Sequence, residues 1–165
     1  MKDLPAWLPS MISTDGEWAK IVALLYGIFE KDFKETRRLF EERPIRWDRR
    51  ILAGDQYEEG FWHLISTTDP KTRKRNWDPR RGERIPWSGP TISNSRDPAV
   101  RVWDYLEGKG RVRTYLWLED WDYVIILEKK KARTGNIAFL VTAFHVAGDS
   151  NRKSLRTKFT KRIKP

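Results

Sequence analysis

The chain has 165 residues, no cysteine and nine tryptophans, enough for one domain with a core of its own. The missing thiols exclude a disulfide framework, a thiolate metal site and a cysteine nucleophile, and they fit a reducing compartment. Lys and Arg outnumber Asp and Glu by 33 to 23, a formal charge of +10, so the chain is expected to attract phosphates and polyanions.

That charge is uneven. Residues 1–42 carry 6 Lys/Arg against 8 Asp/Glu, and residues 43–165 carry 27 against 15. One domain is expected, with a helical part over 1–43 and a basic, β-rich part over 44–165. Met1-Lys2-Asp3-Leu4-Pro5 does not read as a secretion signal, and the apolar run Ile21 to Phe29 is too short for a membrane span. A soluble, cytoplasmic protein with no membrane partner is therefore expected.

From Glu17 to Glu42 the pattern predicts one long helix or two in succession. Ser13, Thr14 and Asp15 offer capping oxygens, and Trp18, Ile21, Val22, Leu25, Phe29, Phe33 and Phe40 make one apolar stripe. Pro44 ends it. Ile45–Leu52 and Gly60–Thr67 have strand-like patterning around a Gly54-Asp55 turn. Residues 69–89 read as a loop, with seven cations and two acids between Lys71 and Arg84. Asp97-Pro98 then predicts the start of a short helix through Leu106.

Three β-rich runs follow, Val112–Leu118, Tyr123–Lys130 and Asn136–Val146. An even-numbered turn after the first would put Val112, Thr114, Leu116 and Leu118 on one face with Tyr123, Ile125 and Leu127. The other face then carries Arg113, Tyr115 and Trp117 with Val124, Ile126 and Glu128, a mixture of cations and rings suited to stacking RNA bases. Those rings could equally pack beneath another element. The last segment, Ser150–Pro165, has seven Lys/Arg and no acid. Leu155, Phe159 and Ile163 could anchor it as a helix, with Arg152 and Arg156 facing substrate.

Few groups in this chain can move a proton near neutral pH. Imidazole can, as acid or as base, and the sequence has His63 and His145. A lone histidine among aromatics is commonly structural, and strand parity places Thr142 and His145 on opposite faces. Glu128-Lys129-Lys130 with Asp122 upstream resembles the E-x-K of magnesium nucleases, but both acids lie on one strand. No phosphate-cradling glycine loop and no nucleophile elbow occurs, and neither a metal nor another cofactor is expected.

Seven segments, taken in order, resemble the phage-associated nucleases of the barnase, EndoU, colicin and RelE-like superfamily, the BECR fold. They are Tyr57-Glu58-Glu59-Gly60-Phe61-Trp62-His63-Leu64-Ile65, Glu83-Arg84-Ile85-Pro86-Trp87, Val102-Trp103-Asp104-Tyr105, Arg113-Thr114-Tyr115-Leu116-Trp117-Leu118-Glu119, Asp122-Tyr123-Val124-Ile125-Ile126-Leu127, Phe139-Leu140-Val141-Thr142-Ala143-Phe144 and Arg152-Lys153-Ser154-Leu155-Arg156. The resemblance implies an α+β fold, N-terminal helices followed by an antiparallel meander, and metal-independent endonucleolytic cleavage of RNA by 2′-hydroxyl attack. It implies RNA as partner, tRNA among the candidates, a toxin, defence or phage role, and an antitoxin or immunity protein as inhibitor. Carried over by position, His63 is the general acid or base, Arg84 and Lys153 are phosphate-binding cations, and Thr142 is a hydroxyl at the scissile phosphate. EndoU-like members have a second histidine with no counterpart here, since His145 sits elsewhere, so the partner of His63 stays open. The competing expectations are a non-catalytic nucleic-acid-binding module and a phage or mobile-element structural protein.

Overall fold

The computed structural model describes residues 2–165. The fold is α+β. Helix α1 (Trp18–Phe29) runs into a π-helical turn, Glu30–Glu35. The short strands β1 (Leu39–Phe40) and β2 (Arg43–Arg46) precede a long loop and helix α2 (Glu59–Ile65). A small hairpin, β3 (Ser66–Thr68) and β4 (Arg75–Trp77), leads to helices α3 (Pro79–Glu83) and α4 (Ile85–Ser93). Strands β5 (Arg101–Leu106), β6 (Val112–Leu118), β7 (Tyr123–Ala132) and β8 (Gly135–His145) end in helix α5 (Gly148–Thr160).

Six strands form one sheet in the order β1-β2-β8-β7-β6-β5. Pairing is antiparallel except between β2 and β8, where Ile45 and Arg46 lie parallel to Ala138 and Phe139. The expected antiparallel meander is formed by β5 to β8, and the parallel contact of β2 at its edge makes the whole sheet mixed. The expected faces hold: Leu118 pairs with Tyr123, Leu116 with Ile125 and Thr114 with Leu127. Their face meets Leu25 and Phe29 of α1, Phe61, Leu64 and Ile65 of α2, and Trp87 and Ile92 of α4 in one apolar core. Trp103, Tyr115, Trp117, Val124 and Ile126 pack on the other face beneath Leu155 and Phe159 of α5. The sheet is therefore covered on both sides.

Several local expectations need correction. The helix predicted over Glu17–Glu42 stops at Phe29 and passes through the π turn, because residues 39–46 are drawn into the sheet edge. The strand predicted over Ile45–Leu52 ends at Arg46. Gly60–Thr67 is mostly helix, since Phe61, Leu64 and Ile65 are buried at helical spacing. A side chain at Gly60 would put its Cβ 2.8 Å from Trp47, so only glycine lets α2 lie against that ring. The loop predicted over 69–89 holds β4, α3 and much of α4. Asp78 caps α3 by accepting from the amides of Arg80 and Arg81, at 3.0 and 3.3 Å. Asp97 does not open a helix: its carboxylate accepts from the Ala99 amide at 2.8 Å and the Trp7 indole at 3.0 Å, closing a turn into β5.

Candidate functional site

The sequence-predicted residues separate into two pockets beside the short helix α3. Arg81 belongs to one of them, Arg80 and Arg84 to the other.

The first pocket, about 390 Å³, is lined by His63, Arg81, Thr142 and the start of β3. The structure does bring His63 and Thr142 together, but through the backbone. The Thr142 hydroxyl donates to the His63 carbonyl at 2.8 Å. The Arg81 guanidinium donates to the carbonyls of His63 at 3.0 Å and Ser66 at 2.9 Å, and to the Thr142 hydroxyl at 3.3 Å. These carbonyls lie at the C-terminal end of α2, where a helix leaves acceptors unpaired and favours a cation. Arg81 and Thr142 therefore fasten that helix end to β8. The Thr142 hydroxyl, expected at a scissile phosphate, is engaged by these two bonds within the fold, while the residue lines the pocket. Burial lowers the His63 pKa, against the opposing pull of Glu59 and Asp48.

The second pocket, about 520 Å³, is lined by Arg80, Arg84, Asp122, His145, Arg152 and Gly148 at the start of α5. It joins two predicted residues, Arg84 and Arg152, to the histidine that sequence reasoning set aside. Asp122 stands in the left-handed region after β6, at φ 53°, and its carboxylate accepts two hydrogen bonds from Arg152, each at 2.7 Å. The remaining Arg152 nitrogen donates to Asp149 at 2.7 Å, so each of the three guanidinium nitrogens holds a carboxylate. Its bonds hold the Asp122 carboxyl below its ordinary pKa and raise that of Arg152.

Arg80 and Arg84 differ from Arg152. Arg80 is exposed and has no ion pair among the described residues. The side chain of Arg84 is only 11% exposed, its nearest acid is Glu83 at 4.0 Å, and its buried Nε has no partner. Burial lowers the Arg84 pKa. It lowers that of His145 too, helped by the positive charges of Arg84 and Arg80. Arg84 Nη1 donates to the Arg80 carbonyl at 2.9 Å, and the pocket thus presents two cations beside an imidazole whose pKa is lowered.

The other predicted residues lie elsewhere. Lys153 is exposed on α5 and does not line either pocket. Arg156 is exposed, with Glu119 at 3.6 Å. Tyr115 and Trp117 are 2% and 0% exposed and sit under α5, so the stacking platform predicted for them does not exist. Arg113 beside them faces Glu128 at 3.6 Å. The E-x-K elements are likewise taken up in ion pairs, Glu128 with Arg111, Arg113 and Lys130, and Asp122 with Arg152.

Sequence reasoning missed Arg80 and undervalued His145. Strand parity did separate His145 from Thr142, and the two do line different pockets. What could not be read was that α3 would bring Arg80 and Arg84 to the end of β8. No helix among the described residues is long and apolar enough to cross a membrane. Compared with models of known families, with curated proteins and with solved structures, the chain matches none.

Proposed function

We propose that this protein binds RNA and cleaves it without a metal ion, and that the site is the pocket of Arg80, Arg84 and His145. The observation that carries the reading is that Arg80, Arg84 and His145 line one pocket, with Arg80 free of any ion pair among the described residues and Arg84 no nearer than 4.0 Å to an acid. A phosphodiester placed there has cations for its charge, which grows in the phosphorane-like transition state. His145 accepts the proton of the 2′-hydroxyl, whose oxygen attacks phosphorus. The bond to the 5′-oxygen breaks, that oxygen takes a proton from water, and the hydroxide left takes the proton back from the His145 imidazolium, leaving a 2′,3′-cyclic phosphate and a 5′-hydroxyl. The resemblance to BECR nucleases implies the same reaction class, and this reading moves the acid–base role from His63 to His145.

One observation favours a second reading, a non-catalytic RNA-binding module. Both carboxylates that line this pocket are paired, Asp122 with Arg152 and Asp120 with Lys2, which leaves His145 as its one unpaired proton carrier among the described residues. The experiment that separates the two incubates the protein with RNA in excess chelator and identifies the ends formed. We expect cyclic phosphate ends, no cut at a 2′-deoxy linkage, and a loss of roughly 10²–10⁴-fold in His145→Ala, with His63→Ala active. Binding without cleavage would leave the module; full activity in His145→Ala would remove the site. The proposed toxin role, with an inhibitor protein as partner, adds that expression of the active chain alone arrests growth and His145→Ala does not.

A further inference from the structure

A third cavity, about 700 Å³, lies between the π-helical turn, β2 and the loop that follows it. It shares no lining residue with the two pockets beside α3. Its size is that of a small-molecule site.

Its lining combines three chemistries. Phe33, Ile45 and Trp47 give it an apolar, partly aromatic floor, and all three are buried. Arg37, Arg46 and Arg49 bring cations with no ion pair among the described residues; Arg49 lies over the Trp47 ring, 4.9 Å from its centre. Lys34 does have a partner, Glu58 at 2.7 Å. Glu58 is the unusual member. Its side chain is 7% exposed, and one oxygen accepts from Tyr26 at 2.6 Å and from Lys34, while the other has no partner. The buried indole nitrogen of Trp47 has none either. Most buried polar atoms in proteins have a partner, and these two belong to residues that line the cavity. The π turn that contributes Phe33 and Lys34 is a rare form of helix, frequent at functional sites.

We infer that this cavity binds a nucleotide, either free or as one unit of a single-stranded RNA. An inorganic anion would use the arginines and leave the floor and Glu58 without a role. An apolar ligand would leave three cations unanswered. A nucleotide meets all three needs, with a planar base for the rings, ring or amino N–H groups for the carboxylate, and a phosphate for Arg37, Arg46 and Arg49. This inference does not rest on the cleavage reading, because its residues are different ones.

The test is titration calorimetry on the full chain carrying Arg80→Ala and Arg84→Ala, so that the α3 pocket adds no phosphate site. The probes are the four 5′-ribonucleoside monophosphates, a single-stranded tetraribonucleotide and inorganic phosphate. We expect at least one nucleotide or the tetranucleotide to bind at one site, at least tenfold tighter than phosphate. Adding Arg37→Ala and Arg49→Ala, both at exposed positions, should weaken it at least tenfold with an unchanged melting curve. Binding of the monophosphates assigns the cavity to free nucleotides, and binding of the tetranucleotide alone assigns it to a strand. No binding of either, binding untouched by the added variants, or phosphate as tight as the nucleotide would each overturn the inference.

Discussion

Replacing Trp117 with alanine tests whether the sheet face under α5 is buried core or an exposed platform. The ring is 0% exposed, stacked edge-on to Trp103 with centroids 6.2 Å apart, in the core that α5 closes. A buried indole removes roughly 200 Å² from water, and at about 25 cal/mol per Å² that is worth about 5 kcal/mol. Its Nε1 has no hydrogen-bond partner, so no such bond is lost. Measured Trp-to-Ala costs of about 3–5 kcal/mol then put the expected loss near 4 kcal/mol. With a urea slope of about 2 kcal/mol per M, the unfolding midpoint should drop by about 2 M at unchanged slope. The assay is equilibrium urea unfolding of both proteins, followed by RNA titration of each under conditions where it is folded. RNA affinity should be the same in both. An unmoved midpoint together with weakened RNA binding would refute the reasoning and restore the exposed platform.

Three further outcomes are expected. Burial depresses the pKa of both His63 and His145, so the folded chain binds fewer protons than the unfolded chain near and below the ordinary imidazole value of about 6.5. Their contribution to stability is therefore complete above that pH and is lost as pH falls through the folded values; the melting temperature should drop between pH 7.5 and 5.5, and less so in a His63→Gln/His145→Gln protein. The logarithm of the RNA association constant should fall linearly with the logarithm of salt concentration, and Arg80→Ala and Arg84→Ala should each reduce the slope by about 0.7. Two glycines should respond with opposite signs in thermal melts. Gly82→Ala places a Cβ 2.2 Å from the Trp77 ring and should cost about 1–3 kcal/mol, while Gly27→Ala, within α1 and facing open space, should gain about 0.5–1 kcal/mol.

Where a segment's own residues decide its structure, the sequence was readable. Alternation over Val112–Leu118 and Tyr123–Lys130 fixed both strands, and the parity of the short turn between them fixed which residues share a face. The hairpin of β1 and β2 escaped notice because its two-residue turn is Glu41-Glu42, with φ of 48° and 66°. Turns of that shape normally announce themselves with Asn or Gly. Gly60–Ile65 is rich in rings and branched residues, which favours a strand locally, yet packing on Trp47 and β8 makes it helix. The reverse happened at 101–106, where an apparent helix start was overruled by pairing with β6 along its whole length. Of the site, the charge and its general location were visible in Arg84 and Arg152. The meeting of Arg80, Arg84 and His145 was not, because it depends on how α3 sits against a strand end some 60 residues further on.

The parallel contact between β2 and β8 has a consequence for how the chain is made. Ile45 lies beside Ala138, a strand that leaves the ribosome only after some 90 further residues. At synthesis rates of roughly 5–20 residues per second, β2 waits about 5–20 s for its only partner besides the two residues of β1. Over that interval Ile45 and Trp47, both buried in the finished protein, have no sheet to enter, and only local pieces such as α1 can form. β2 can join the rest of the sheet only through β8, which lies between β2 and β7. Non-local closure of this kind is slow, and it leaves Ile45 and Trp47 open to chaperones and proteases until β8 has emerged.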